Sequence, residues 1–354
     1  MNVNSALKCI AFATANDQNY VSREPQTLTP NIGPVPSRRW NSESAKGNHM
    51  AKLPKDPSAV VVHDGMVHLV GNESDQRYFR FTVEALPKTG EAKRLSDLEL
   101  IDTVEVDHTR ANDLESIDVL EGRIAVISED VSQIICRDKT VVDYSDIPSL
   151  RENGGRGLEG MSIRELAGKS SQVAVVWEGG IHHSDDSIAG LPLLMTHCLP
   201  RGCHGSKVVF HGEIWEERLC KVKMPSAFKD KLFRCPDLVW CWSTADEQWG
   251  LLLLLSQQAP RNSRKKYLQL YDPSGTPLGE PAHLEDLGLP SEGDYIEHNW
   301  EGLCWHTDEN GNDSLLMVND AQKKSKKFIA RIRPPQCCLR HKKTKGEVAK
   351  MATS

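Results

Sequence analysis

The chain has 354 residues, of which 39% are hydrophobic and 26% charged, and a formal net charge of −6. That length suits one large all-β domain or two ordinary ones, and the composition excludes a chain too polar to bury a core. No apolar run approaches the roughly 18–20 residues of a membrane-spanning helix, so no membrane span is expected.

The charge is unevenly spread. Residues 321–354 hold eleven Lys and Arg against one acid, which leaves the rest of the chain strongly acidic. An acidic body binds cations or stays soluble, and a basic terminus reads first as a solvated tail; no nucleic-acid partner is expected. The ten cysteines include no Cys-x-x-Cys, which excludes a zinc ribbon and a thioredoxin-like motif. His197-Cys198 and Cys203-His204 offer four zinc-type ligands, but their order reads as a hairpin tip with a packing or loop role.

Residues 1–57 are rich in Asn, Ser, Pro and Thr without a sustained period, and read as a disordered or loosely docked arm. Lys8 interrupts the only apolar patch there and no basic leader region precedes it, so a cytoplasmic protein without a signal peptide is the default.

From Ser58 to Arg333 the sequence reads as β throughout, and residues 334–354 form the basic tail. Ser58–Val62 and Met66–Val70 flank His63-Asp64-Gly65, and strands near 77–83 and 100–106 complete a first unit. A second opens with Asp113-Leu-Glu-Ser-Ile-Asp-Val119, turns at Glu121-Gly122 and returns, placing Glu115 opposite Ser128 or Glu129. A third, Arg156-Gly-Leu-Glu-Gly-Met-Ser-Ile163, turns about Gly168-Lys169 and places Glu159 opposite Glu178; strands near 191–198, 207–211 and 218–222 follow. A fourth and weaker unit pairs Asp237–Trp242 with Gly250–Ser256 and continues through 267–271. The fifth, Asn299–Trp305, turns at Asn310-Gly311, a pair that tolerates the positive φ of a type I′ turn. That register puts Leu303 opposite Val318 and Glu301 opposite Asp320.

The units start at 58, 115, 159, 237 and 301, intervals of 57, 44, 78 and 64 residues. Four-stranded units at such spacing mark the blades of a β-propeller, with five visible and a sixth conceivable inside the longest interval. The competing architecture is a pair of β-sandwiches. In a propeller the inner strands converge on one axis, so Glu115, Glu159 and Glu301, with Asp237, form a carboxylate ring. Their hairpin partners Glu129, Glu178 and Asp320 return to the same rim, and Asp113, just before Glu115, joins the candidate metal ligands. Such a ring raises the pKa of some members or holds a hard cation, and Ca²⁺ accepts about six to eight oxygen ligands in loose geometry. The alternative is that these acids only cap backbone amides or pair with bases such as Arg156. Asp308–Asp313 imitates a calcium-binding loop but reads as a hairpin tip, and His182-His183-Ser-Asp185-Asp186 as a solvated loop near the channel mouth. No Gly-x-Ser-x-Gly, P-loop or dinucleotide fingerprint occurs.

The ordered set Asp113/Glu115, Asn153 with Arg156-Gly157-Leu158-Glu159-Gly160, Leu251–Leu255, and Asn299-Trp300-Glu301-Gly302-Leu303 with Leu315 to Asp320 resembles the phytase-like propeller family, which is described as having esterase-like activity of phytase. The resemblance spans roughly Ser58 to Arg333. It departs from the pattern at Ser116, at the inserted Gly154-Gly155 and at Asp237-Leu238. A propeller is what it implies most directly. Two functions follow as expectations. One is Ca²⁺-dependent hydrolysis of a phosphorylated small molecule, with Arg151, Arg156 and Arg110 as phosphate contacts and no catalytic residue assigned. The other is a non-catalytic propeller that binds a protein or small ligand, its metal or carboxylate ring purely structural.

Overall fold

The computed structural model describes residues 53–54, 56–71, 76–106, 112–136, 139–145, 147, 157–166, 170–178, 191–202, 208–209, 219–228, 233–257, 265–290, 299–320 and 326–342. They form five sheets, antiparallel apart from one short parallel pair. The first blade contains β1 (Pro57–His63), β2 (Met66–Gly71) and β3 (Arg77–Thr82). The chain then departs as β4 (Glu91–Arg94) before β5 (Leu100–Glu105) completes that blade. The second comprises β6 (Leu114–Leu120), β7 (Arg123–Ser128), β8 (Gln133–Cys136) and β9 (Lys139–Asp143). The third has β10 (Leu158–Leu166), β11 (Ser170–Trp177) and β12 (Leu193–Pro200). Next, β13 (Val208–Val209) pairs parallel with β9 of the second blade, and β14 (Cys220–Lys221) returns to the third. Val208–Val209, within the segment near 207–211 read as a third-unit strand, therefore belong to the neighbouring sheet.

The fourth blade is β15 (Phe233–Ser243), β16 (Gln248–Gln257), β17 (Lys266–Tyr271) and β18 (Pro277–His283). The fifth is β19 (Asn299–Thr307), β20 (Asp313–Asp320) and β21 (Phe328–Ile332), completed by β4 from the first blade. Beyond Arg333 the chain is still part of the sheet system. β22 (Cys338–Leu339) pairs with the exposed edge of β15, so the basic segment begins inside the propeller.

Five buried clusters fill the spaces between successive blades, including the pair that closes the ring. There Val60, Leu69 and Phe79 of the first blade pack on Leu316, Val318 and Ile329 of the fifth. The run Leu251–Leu255 shows how one strand serves two interfaces. Leu251, Leu253 and Leu255 pack toward the third blade, Leu252 and Leu254 toward the fifth, as the two-residue period of a strand requires. The inner strands β1, β6, β10, β15 and β19 touch in that order and β19 touches β1. This is a closed five-bladed propeller, not two sandwiches.

Each inner strand carries a register break at the same place: 57/59, 114/116, 158/160, 234/237 and 300/302. The expected face-to-face acid pairs are corrected accordingly. Glu115, Glu159 and Glu301 are the extra residues of these bulges and have no direct partner, while Asn299 faces Asp320 and Leu303 faces Met317. The Asn310-Gly311 hairpin is not a two-residue turn either. Thr307 pairs with Asp313, and the Asp308 carboxylate shapes the loop by accepting the N–H of Asn310 and Asn312 at 3.0 and 2.8 Å. Two-residue turns occur at Asp64-Gly65 and Glu121-Gly122, with φ of 47° and 69°, and 50° and 71°.

Adjacent inner strands are joined by side chains that accept backbone N–H groups from the next blade. Ser116 Oγ takes Met161 N at 3.0 Å, Asp118 Oδ2 takes Ile163 N at 2.5 Å, Ser162 Oγ takes Trp240 N at 3.0 Å, and Asp237 Oδ2 takes Leu303 N at 2.7 Å. Except where β22 pairs with the end of β15, an inner strand has one edge without a ladder partner, and these groups supply acceptors there.

Candidate functional site at the bulged end of the channel

The bulges direct Glu115, Glu159 and Glu301 to one end of the central channel, all three buried. The glycine after two of them permits the approach of the neighbouring strand. A Cβ on Gly160 would meet Asp237 Cα at 2.7 Å, and one on Gly302 would meet Ala59 Cα at 2.7 Å. The ring then divides in two.

On one side stands Arg234 of β15, which the sequence reading did not single out. Its Nη2 contacts Glu178 Oε1 and lies 3.1 Å from Glu301 Oε1. Burial disfavours the guanidinium charge, but Glu178, Glu301, Glu159 and Glu115 outweigh it and hold Arg234 protonated. Glu301 also accepts a hydrogen bond from Asn299 Nδ2, and the buried Lys266 Nζ donates to Asn299 Oδ1 at 3.0 Å. A signal for Arg234 was present. The fourth unit has Arg-Cys-Pro-Asp at its break, a base where the second, third and fifth units bring an acid.

On the other side, Asp113, Glu115 and Glu129 offer carboxylate oxygens that all lie within 4.8 Å of one another. Asp113 Oδ1 is buried without a hydrogen-bond partner among the described residues. Glu129 Oε1 accepts Gly157 N at 2.6 Å, and any side chain at 157 would collide with Glu129 Cγ. Burial, then the charges of Glu301, Asp113 and Glu129, push the Glu115 carboxyl well above the usual range, although Ser58 hydrogen-bonds to it. Burial and Asp113 raise Glu129 to about 7 against the opposing Gly157 N–H. Glu159 is raised by burial first, then by Glu178 and Glu115, with Arg234 opposing.

The expected metal set is thus distributed over several environments. Asp113 and Glu115 come together with Glu129, and Glu178 and Glu301 are joined by Arg234. Glu159 feels both groups and is 8% exposed. Asp237 is part of the blade junction, its two oxygens accepting Leu238 N and Leu303 N at 2.8 and 2.7 Å. Asp320 ends β20 opposite Asn299. Arg110, Arg151, Arg156 and the segment 182–186 lie outside the described residues. Of the zinc-type set, His197 is buried with Nε2 2.7 Å from Tyr144 Oη, and Cys198 is exposed on the opposite face of β12. Cys203 and His204 lie outside the described residues.

No family model and no curated protein matches the chain. Among solved structures, it overlaps an endo-arabinase from Bacteroides thetaiotaomicron at 10% identity, over 80% of this chain and 95% of that one, with a TM-score of 0.48. It also overlaps Drosophila Semaphorin 1a, extracellular domains 1–2, at 7% identity over 84% and 88%, with a TM-score of 0.33. At these values the comparisons identify no activity. Among the described residues no helix is long and apolar enough to cross a membrane.

Proposed function

We propose that the bulged end of the channel is a divalent-cation centre, Ca²⁺ by its all-oxygen donor set, through which the protein hydrolyses a phosphorylated small molecule. The observation that carries this reading is the spacing of Asp113, Glu115 and Glu129. Two oxygens on opposite sides of an ion bound at about 2.4 Å are about 4.8 Å apart, so a set mutually within 4.8 Å fits one coordination sphere. The buried Asp113 Oδ1 without a partner supports the same assignment. When bound, the ion supplies positive charge for phosphate oxygens and acidifies water beside it. Arg234, fixed by Glu178 and Glu301, adds a second positive group facing the same space. Glu159, with no hydrogen bond from a described residue, is the carboxyl placed to exchange a proton with a bound ester.

The test is a melt with and without Ca²⁺, paired with p-nitrophenyl phosphate turnover before and after chelation and in Glu115→Gln. A ligand of the native state raises the melting temperature by mass action, by the equivalent of about 2.7 kcal/mol at a hundredfold excess over Kd. Stabilisation and turnover should both be lost in Glu115→Gln. A melt insensitive to Ca²⁺ and chelator, with no bound metal by elemental analysis, refutes the site. Stabilisation without turnover favours the second reading, a non-catalytic propeller with a structural ion. The ion pairs that Arg234 already makes within the ring support that second reading.

A further inference from the structure

The other end of the channel has the opposite character. Past the bulges, the inner strands enclose a cavity of about 430 Å³. Its inner wall is aliphatic, from residues such as Val61, Ile117, Met161, Val239 and Leu303, and toward the hairpin turns it becomes aromatic with Trp240, Trp249 and Trp305. Two guanidinium groups stand there. Arg164 lies over the rings of Trp249 and Trp240, 4.1 and 4.9 Å from their centroids. Arg340 arrives from the C-terminal segment, because pairing of Leu339 with Trp242 carries Arg340 and His341 onto the cavity wall. There Arg340 Nη1 donates to Thr307 Oγ1 at 2.6 Å. Of the two acids in the lining, Glu165 is exposed, and Asp118 already accepts Ile163 N and Val119 N at 2.5 and 2.7 Å.

We propose that this end of the channel is a second binding site, for a small organic anion with a flat apolar body, an aromatic monocarboxylate in chemical class. The volume falls within the roughly 300–1,000 Å³ of small-molecule pockets. A planar guanidinium matches a carboxylate in two parallel hydrogen bonds, and the indole faces and aliphatic wall accept an aromatic ring. An amine would meet two arginines.

The experiment is calorimetric titration of the full-length protein with 1-naphthoate and with its neutral amide. Naphthoate should bind saturably, and loss of a charged hydrogen bond should weaken binding about tenfold or more, both for the amide and in Arg340→Ala. Arg340→Lys should fall between, since it keeps the charge without the fork. Arg340 follows a strand of only two residues, Cys338–Leu339, and is itself half-buried, so its replacement should leave the melt unchanged and the binding result readable. Glu115→Gln should bind naphthoate as the wild type does, which separates this site from the acidic end. Absence of saturable binding, equal affinity for acid and amide, or unchanged affinity in both Arg340→Ala and Arg164→Ala overturns the proposal. Loss of naphthoate binding in Glu115→Gln overturns the assignment to this end.

Discussion

Arg234→Met is the substitution that most directly tests how the acid ring is tolerated. Methionine keeps most of the stem volume and removes the cation. The Arg234 side chain is 20% exposed, and those of Glu178 and Glu301 are 3% and 10% exposed, so two carboxylates are left nearly dry. Removing one partner of a buried ion pair costs about 3–5 kcal/mol, and the lower end applies because solvent reaches part of the guanidinium. With a urea slope of about 3 kcal/mol/M, the midpoint should fall by about 1 M at pH 7.5. The sign of the pH dependence follows from the two buried acids that lose their cation. The deficit comes from buried charge without its counterion, so it is full while both carboxylates are ionised and shrinks as protonation at lower pH removes that charge. At pH 5 the variant should recover part of the difference, and adding Glu178→Gln and Glu301→Gln should recover more at pH 7.5. A variant as stable as the wild type at pH 7.5, or a deficit independent of pH, would falsify the view that Arg234 neutralises the ring.

Two further outcomes follow from the same geometry. Gly160→Ala and Gly302→Ala each press a methyl against a neighbouring backbone at 2.7 Å and should lower stability by about 1–3 kcal/mol in denaturant melts; unchanged midpoints would show that the inner strands separate easily. Burial raises Asp118 to about 7 despite the two N–H groups it accepts, so its contribution is fully present below about pH 4 and is lost as pH rises through 7. Over that window the wild type should lose up to about 4 kcal/mol relative to Asp118→Asn, less to the extent that channel water reaches the carboxylate, and parallel pH profiles of the two proteins would refute it.

The blade pattern was legible because the inner hairpins repeat an apolar arrangement, with an acid at the break in the second, third and fifth, and strand periodicity survives in every unit. The strands near 77–83 and 100–106 could be placed for the same reason. What periodicity does not carry is strand exchange. Glu91–Arg94 has no alternating pattern and joins the fifth blade only because its backbone completes that sheet. The acidic ring was legible as a place but not as a set of contacts. Hairpin arithmetic assumes two regular strands, and one bulge shifts every partner on one side of it by a residue. Arg234 lay hidden for the same reason, since it precedes the break in a unit without the Glu-Gly motif.

The bulge itself explains why Glu and Gly occur together. In a regular strand every side chain between two blades points into one interface or the other, and an ionised glutamate there would lie in a leucine-filled space. The extra residue of a bulge belongs to neither alternating face, which frees it to point along the axis. Its neighbour must then pass close to the next strand, which a glycine permits at 160 and 302 and the small Ala59 and Ser116 permit in the first two blades. The fourth blade solves the same problem with Cys235-Pro236. Proline lacks the N–H that a ladder would need and so fits the unpaired position, and the residue that follows is Asp237, whose carboxylate serves the blade junction. No glutamate has a place in that blade. The charge it brings to the ring comes instead from Arg234, on the last pair before the break, so the departure from the motif and the neutralisation of its acids have one structural cause.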